Sequence, residues 1–327
     1  MDKLIASFPA QLSESIKIGQ STVFSKPGKG IRNVVISGLG GSGIGGTIVK
    51  NFTENRLTIP VVVNKTYDLP AFVSENSLVI ICSYSGNTEE TIEALKQAIA
   101  KNAFIVCITS GGSLAEMAGK NGLPCFMIPA GRPPRACLGY SVVQILFALH
   151  YAGLLDNGFV QDIEKAALLL DAEQENIRTL AADLAAKNAD KLPVIYAGNQ
   201  MEGVAVRWRQ QLNENSKVPG WSNVVPEMNH NELVGWRDSQ DNLTVYFLHA
   251  GIDHSKVSFR MGINKEIISR CTPFVYDIDA MGGSYWEQAF YLTHIGDWLS
   301  WYYAEQRGVD PVEVKVIDYL KSQLSGH

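Results

Sequence analysis

Two turns rich in glycine and hydroxyl groups hold the clearest chemistry in the chain. Ser83-Tyr-Ser-Gly-Asn-Thr-Glu-Glu-Thr91 follows the apolar run Leu78–Cys82 and opens a helix. Ser83, Ser85 and Thr88 set their hydroxyls beside the unpaired amides of a helix start. That combination suits a phosphate monoester and needs no lysine. Capping is compatible with it: Asn87 and Glu90, three positions apart, fit an N-cap and its reciprocal partner. Gly38-Leu-Gly-Gly-Ser-Gly43, with Gly41 and Ser42 at its centre, also joins a strand to a helix. Its amides and the helix dipole favour a small anion, and a tight packing turn is the plainer alternative. The pattern matches a dinucleotide fingerprint in form only. That fingerprint expects an acid closing the next strand, where Asn64 and Lys65 stand. No Lys-Ser/Thr pair closes the glycine run, which excludes a P-loop.

Four other residues stand out by their settings. Arg135 lies in Gly131-Arg-Pro-Pro-Arg-Ala-Cys-Leu-Gly-Tyr140, a loop stiffened by Pro133 and Pro134 that can hold it pointing at a site. Glu214, in Gln211-Leu-Asn-Glu-Asn-Ser-Lys-Val-Pro219, reads alone as a solvated helix-end glutamate. His230, in Pro226-Glu-Met-Asn-His-Asn-Glu-Leu233, reads alone as structural or solvated. Lys321 rides on the amphipathic segment Ile317–Leu324 and faces solvent by default. Metal chemistry has little support: there is no HExxH, and His249 and His254 lack nearby cysteines. No GxSxG elbow marks a serine nucleophile.

The elements that must position these residues alternate. Strands are predicted at Asn33–Ser37, Val61–Val63, Leu78–Cys82, Phe104–Thr109 and Cys125–Ile128, with helices between them. Runs apolar on both faces, alternating with helices, predict a parallel sheet covered on both sides. A long apolar helix spans about Tyr140–Leu155, and one helix from about Val160 to Lys187 bridges to a second half. There the spacing predicts strands at Val194–Ala197, Asn242–Leu248 and Phe274–Ile278, and helices ending at Asn213, over Lys256–Arg270, Tyr285–Gln306 and Val312–Leu324. The expected division is residues 1–155 and 156–327.

Composition bounds the function classes. With 46% hydrophobic and 19% charged residues, the chain can bury a large core. A net charge of −5 without blocks of like charge argues against nucleic acid as a partner. The five cysteines form no CxxC, and three sit in strand-like runs, so reduced buried thiols are expected. Val142–Leu155 is too short and too interrupted to span a bilayer. The N-terminus lacks a secretory pattern. A cytoplasmic protein without membrane partners is expected.

GGSG followed by SYSGNTEET resembles the sugar isomerase (SIS) domain, whose members bind phosphosugars. From about residue 30 to the C-terminus the chain is similar to the bifunctional phosphoglucose/phosphomannose isomerases, tandem-SIS members of the phosphoglucose isomerase superfamily. The resemblance implies two SIS-type α/β units, each a three-layer sandwich around a mainly parallel sheet. It implies an aldose–ketose isomerase, without metal or other cofactor, acting on glucose, mannose and fructose 6-phosphates. It puts phosphate on Gly41, Ser42, Ser83, Ser85 and Thr88, and makes Arg135 the stabiliser of the enediolate. It makes Glu214 the base and His230 a ring-opening group reaching into a partner subunit's site of a homodimer. Lys321 matches the family's C-terminal lysine, with Lys315 as its rival in register. A phosphosugar sensor, or another SIS isomerase, is the alternative.

Overall fold

The computed structural model describes residues 1–28 and 30–324. Two N-terminal helices, α1 (Asp2–Ala6) and α2 (Phe8–Ser21), precede the first sheet. Sequence reasoning assigned neither. Then come β1 (Asn33–Ser37), α3 (Gly40–Thr53), β2 (Val61–Asn64), β3 (Ser77–Cys82), α4 (Glu89–Ala100), β4 (Phe104–Thr109), α5 (Gly112–Lys120) and β5 (Cys125–Met127). These strands form one parallel sheet in the order β2-β1-β3-β4-β5. Every residue of β3 is buried, as its unbroken apolar run requires of a strand covered on both faces. The order reverses between β1 and β3. Open α/β sheets bind ligands at such a switch point, beyond the strand ends.

The connection is α6 (Leu138–Tyr151), α7 (Gly158–Ala172) and α8 (Gln174–Asn188). Here the single helix expected over 160–187 is corrected to two, meeting at Glu173. No glycine or proline marks that break. It sits where the Gln174 side chain turns inward to bond the Ala6 carbonyl and His294.

The second unit comprises β6 (Leu192–Gly198), α9 (Glu202–Ser216), β7 (Trp221–Val225), β8 (Leu243–His249), α10 (Ser255–Ile268), β9 (Val275–Asp279), α11 (Tyr285–Arg307) and α12 (Lys315–Leu324). Its sheet is parallel in the order β7-β6-β8-β9. The edge strand β7, WSNVV, is mostly half-exposed, and so short and polar a run escaped the apolar-run criterion.

One apolar core runs through both units, from Ile36 and Leu146 to Tyr246 and Leu299. The units meet where α3 lies against α9. A Cβ on Gly203 would come 2.9 Å from the Ile48 main-chain nitrogen, so only glycine permits this approach. The Gly203 amide donates to Asn51 Oδ1 at 2.9 Å, and the Tyr285 hydroxyl to the Ile48 carbonyl at 3.0 Å. This rigid seam fixes the loops of one sheet against those of the other.

Candidate active site

The loops after β1 and β3 lie side by side at the switch point. Ser42 Oγ accepts from the Tyr84 amide at 3.1 Å. Ser83 Oγ donates to Thr88 Oγ1 at 2.9 Å and accepts from the Gly86 amide at 3.2 Å. Ser85 Oγ accepts from the Asn87 amide at 3.3 Å. Gly86 holds φ at +72°, and a Cβ there would fall 1.8 Å from the Gly111 carbonyl oxygen, so the tight hydroxyl turn demands glycine. The cap expected at Asn87 is corrected to Thr88, whose extended backbone starts α4. Asn87 instead turns its Oδ1 to the Ser113 amide at 2.9 Å, bracing the turn against α5.

The glycine loop also packs against the arginine segment. A Cβ on Gly41 would lie 2.9 Å from the Pro134 carbonyl and 3.0 Å from the Arg135 nitrogen. Close backbone packing therefore accounts for Gly41 directly. The Tyr84 hydroxyl ties the same loops together, donating to the Pro129 carbonyl and accepting from the Arg132 amide, each at 3.0 Å.

Arg135 sits in a short 3-10 turn, Pro134–Ala136, with its side chain buried. Nε donates to Asn215 Oδ1 at 2.7 Å, and Nη2 to the Pro311 and Val312 carbonyls at 2.8 and 2.9 Å. Nη1 faces Glu214 Oε2 at 3.4 Å. Burial lowers the Arg135 pKa, and Glu214 and then Asp310 oppose that shift. A guanidinium stays charged throughout. Glu214 lies in the last turn of α9 with its side chain 28% exposed, so it borders solvent while its partner does not.

Behind this pair is a buried stripe that sequence reasoning missed. Arg207, Gln211 and Asn215 recur every four residues on one face of α9, and all three are buried. Arg207 donates through Nε and Nη2 to the two carboxylate oxygens of Asp297 on α11, at 3.1 and 2.7 Å, and through Nη2 to the Arg135 carbonyl at 3.0 Å. Gln211 donates to Asp297 at 2.9 Å. Asn215 donates to Ser300 Oγ at 2.9 Å. The signal available in the sequence was this polar i, i+4, i+8 spacing on a helix that has to pack inside an α/β unit.

A cavity of about 540 Å³ opens beside Glu214, lined also by Lys217, Glu313 and Lys315. Lys217, in the left-handed conformation that ends α9, donates to the Glu214 and Glu313 carbonyls at 2.7 and 2.8 Å. Desolvation lowers its pKa, against the pull of Glu313. Lys315 lines this cavity, whereas Lys321 lies exposed on the last turn of α12 and does not. His230 ends a 3-10 turn, Glu227–His230, is exposed, and does not line the cavity either. The structure thus brings together Arg135 and Glu214, and separately Ser42, Ser83, Ser85 and Thr88. Among the described residues no helix is long and apolar enough to cross a membrane.

Known proteins share this organisation. The SIS domain family matches residues 30–152, and the bacterial phospho-glucose isomerase C-terminal SIS domain matches residues 177–324. A bifunctional phosphoglucose/phosphomannose isomerase of Caldicellulosiruptor bescii is 39% identical across 99% of both chains. A D-glucosamine-6-phosphate 4-epimerase of Sulfolobus acidocaldarius is 32% identical across 73% of this chain and 75% of its own. The C-terminal domain of glucosamine-fructose-6-phosphate aminotransferase from Francisella tularensis shares the fold, with a TM-score of 0.76 at 17% identity over 96% of this chain and 97% of that one. With its two SIS units and 39% identity along nearly its whole length to one such isomerase, the chain belongs to the bifunctional phosphoglucose/phosphomannose isomerase family.

Proposed function

We propose that this protein interconverts glucose 6-phosphate and mannose 6-phosphate with fructose 6-phosphate, without a metal. The contact that carries the reading is Arg135 with Glu214, a buried fixed cation beside a carboxylate that borders a cavity.

In this reading the phosphate rests on Ser42, Ser83, Ser85 and Thr88, with the backbone at Gly41 and the start of α4. Glu214 takes the proton from C2 of the open-chain aldose. The electron pair moves toward C1–O1 and a cis-enediolate forms. The proton returns from Glu214 to C1, O1 gains a proton and O2 loses one. Arg135 stabilises the enediolate charge, a contribution of roughly 3–4 kcal/mol for one well-placed donor. Glucose and mannose 6-phosphates differ only at C2, so both reach one planar enediol and one base serves both.

Ring opening falls to His230 of the partner subunit in a homodimer, assisted by Lys321, with Lys315 as its rival for the family's C-terminal lysine. Two features support a dimer. His230 is exposed and clear of the Glu214 cavity. The last helix, α12, leaves Val316, Tyr319 and Leu320 largely exposed, an apolar face of the kind a second chain covers. We further divide the chain near Leu155, and place the enzyme in the cytoplasm, where its five unpaired cysteines stay reduced.

The test is incubation with fructose 6-phosphate in excess EDTA, following each aldose product separately. Formation of both is expected. Formation of neither overturns the reading, and so does turnover of glucosamine 6-phosphate alone.

A further inference from the structure

The segment that carries His230 is pinned on both sides. Before it, Met228 is buried and Asn229 Nδ2 donates to Asn264 Oδ1 of α10 at 2.6 Å. After it, Glu232 turns back onto the sheet, where donors converge on its carboxylate. Oε1 accepts from the Tyr196 hydroxyl of β6 at 2.5 Å and from the Trp221 indole of β7 at 2.7 Å. Oε2 accepts from Asn223 Nδ2 of β7 at 2.7 Å. The Glu232 amide itself donates to Asn231 Oδ1 at 2.6 Å.

None of these donors is a cation, and among the described residues no ion pair to Glu232 is seen. A carboxylate accepting from three neutral donors forms charge-assisted bonds with fixed directions. The donors are themselves held. The Tyr196 hydroxyl accepts from Trp236 Nε1 at 2.9 Å, closing the far end of the same segment. Asn223 spends its Oδ1 on the Val224 amide at 2.8 Å, which fixes its amide toward Glu232. His230 is therefore an exposed imidazole on a segment whose rigidity exceeds that of an ordinary surface loop.

We propose that Glu232 is the positioning residue for His230, locking the segment on the β6–β7 edge so that the imidazole is presented at a fixed place and angle. The proposal rests on the isomerase reading, in which His230 moves the proton between O5 and the anomeric hydroxyl. Glu232 touches no substrate and acts through His230.

Glu232→Gln keeps the volume but replaces one acceptor oxygen with a donor. Trp221 can only donate, and Asn223 is committed as a donor, so one bond becomes a donor–donor clash. Trp221→Phe is a milder probe. It deletes a single donor from an exposed edge strand and leaves the core intact.

The experiment measures, for full-length wild type and both variants, kcat and KM on glucose 6-phosphate, and the anomer exchange of glucose 6-phosphate by NMR. Glu232→Gln is expected to lower kcat on the order of 10²-fold with KM unchanged. Anomer exchange should fall in parallel, and Trp221→Phe should fall in between. A merely structural role would not separate kcat from KM or follow anomer exchange. Wild-type kcat in both folded variants overturns the proposal, as does a loss of kcat with anomer exchange intact. If wild type itself converts no phosphosugar, the functional reading fails instead, which keeps the two failures apart.

Discussion

Arg135 and Glu214 face each other at 3.4 Å from opposite units of the fold, one on the loop before α6 and the other at the end of α9. The arginine does not depend on that contact for its position. Asn215 and the Pro311 and Val312 carbonyls hold three of its donor directions. A substitution at Glu214 therefore removes the carboxylate without releasing the cation. Glu214→Gln is expected to lose turnover by about 10²–10⁴-fold, the usual worth of general base catalysis. Phosphosugar affinity, measured by calorimetry, should stay near wild type. A fully active Glu214→Gln would remove Glu214 as the base.

The converse substitution tests the cation. A lysine at position 135 offers one compact ammonium and cannot span four acceptors as a planar guanidinium does. Arg135→Lys is expected to lower kcat by roughly 10²–10³-fold, the range for loss of one oxyanion-stabilising donor. The Pro311 and Val312 carbonyls would also lose their donor, loosening the approach to α12. Faster amide exchange over 311–324 should accompany the kinetic loss. Undiminished kcat would place the enediolate charge elsewhere.

Ser83 has a different signature. Its hydroxyl is buried within the turn, bonded to Thr88 Oγ1 and the Gly86 amide, and its proposed partner is the phosphate rather than the reacting carbons. A hydrogen bond to a charged group is worth about 1.5–3 kcal/mol, so Ser83→Ala should raise KM roughly 10- to 100-fold. The kcat should change little, and inhibition by inorganic phosphate should weaken in step. A fall in kcat at constant KM would contradict a phosphate role.

These assignments were unevenly legible in the sequence. The strands β1 and β4 match their apolar runs residue for residue, because strands buried on both faces admit almost nothing else. The hydroxyl turn was legible because glycine at a positive φ and clustered hydroxyls are local properties. The meeting of Arg135 with Glu214 was expected from the family resemblance alone, since it depends on the packing of α3 on α9, which no local pattern encodes. For the same reason no local pattern marks the Arg207–Gln211–Asn215 stripe as buried: its partner Asp297 lies on α11. The α7–α8 break, made by Gln174 reaching His294, is likewise tertiary in origin.

His294 makes stability depend on pH. It is completely buried, and desolvation, with a smaller push from Arg207, holds its imidazole down to about 3. In the unfolded chain it titrates at about 6.5. Below that value the unfolded state binds a proton that the folded state refuses, so stability is full above it and is lost as pH falls toward the folded value. Between about pH 7.5 and about pH 5 the loss from this group is roughly 2 kcal/mol. His294→Phe keeps a ring against Phe8 and Trp298. Urea unfolding of this variant should lose that much less on acidification than wild type. Equal losses would mean that His294 is protonated in the folded protein.

The proposed sharing of a site between two subunits can be tested by mixing two chains, each expected to be inactive. His230→Ala retains Glu214, and Glu214→Gln retains His230. In the proposed dimer, each variant alone lacks one of the two groups at both sites. In a mixed dimer with His230 acting across the interface, one site pairs the Glu214 of one chain with the His230 of the other and is complete. Activity should therefore appear when the two variants are unfolded together and refolded, and not when separately refolded chains are assayed immediately after mixing. If His230 served its own chain, every site in the mixed dimer would still lack one group and no activity would return. The exposed position of His230, clear of the cavity beside Glu214, favours the first outcome.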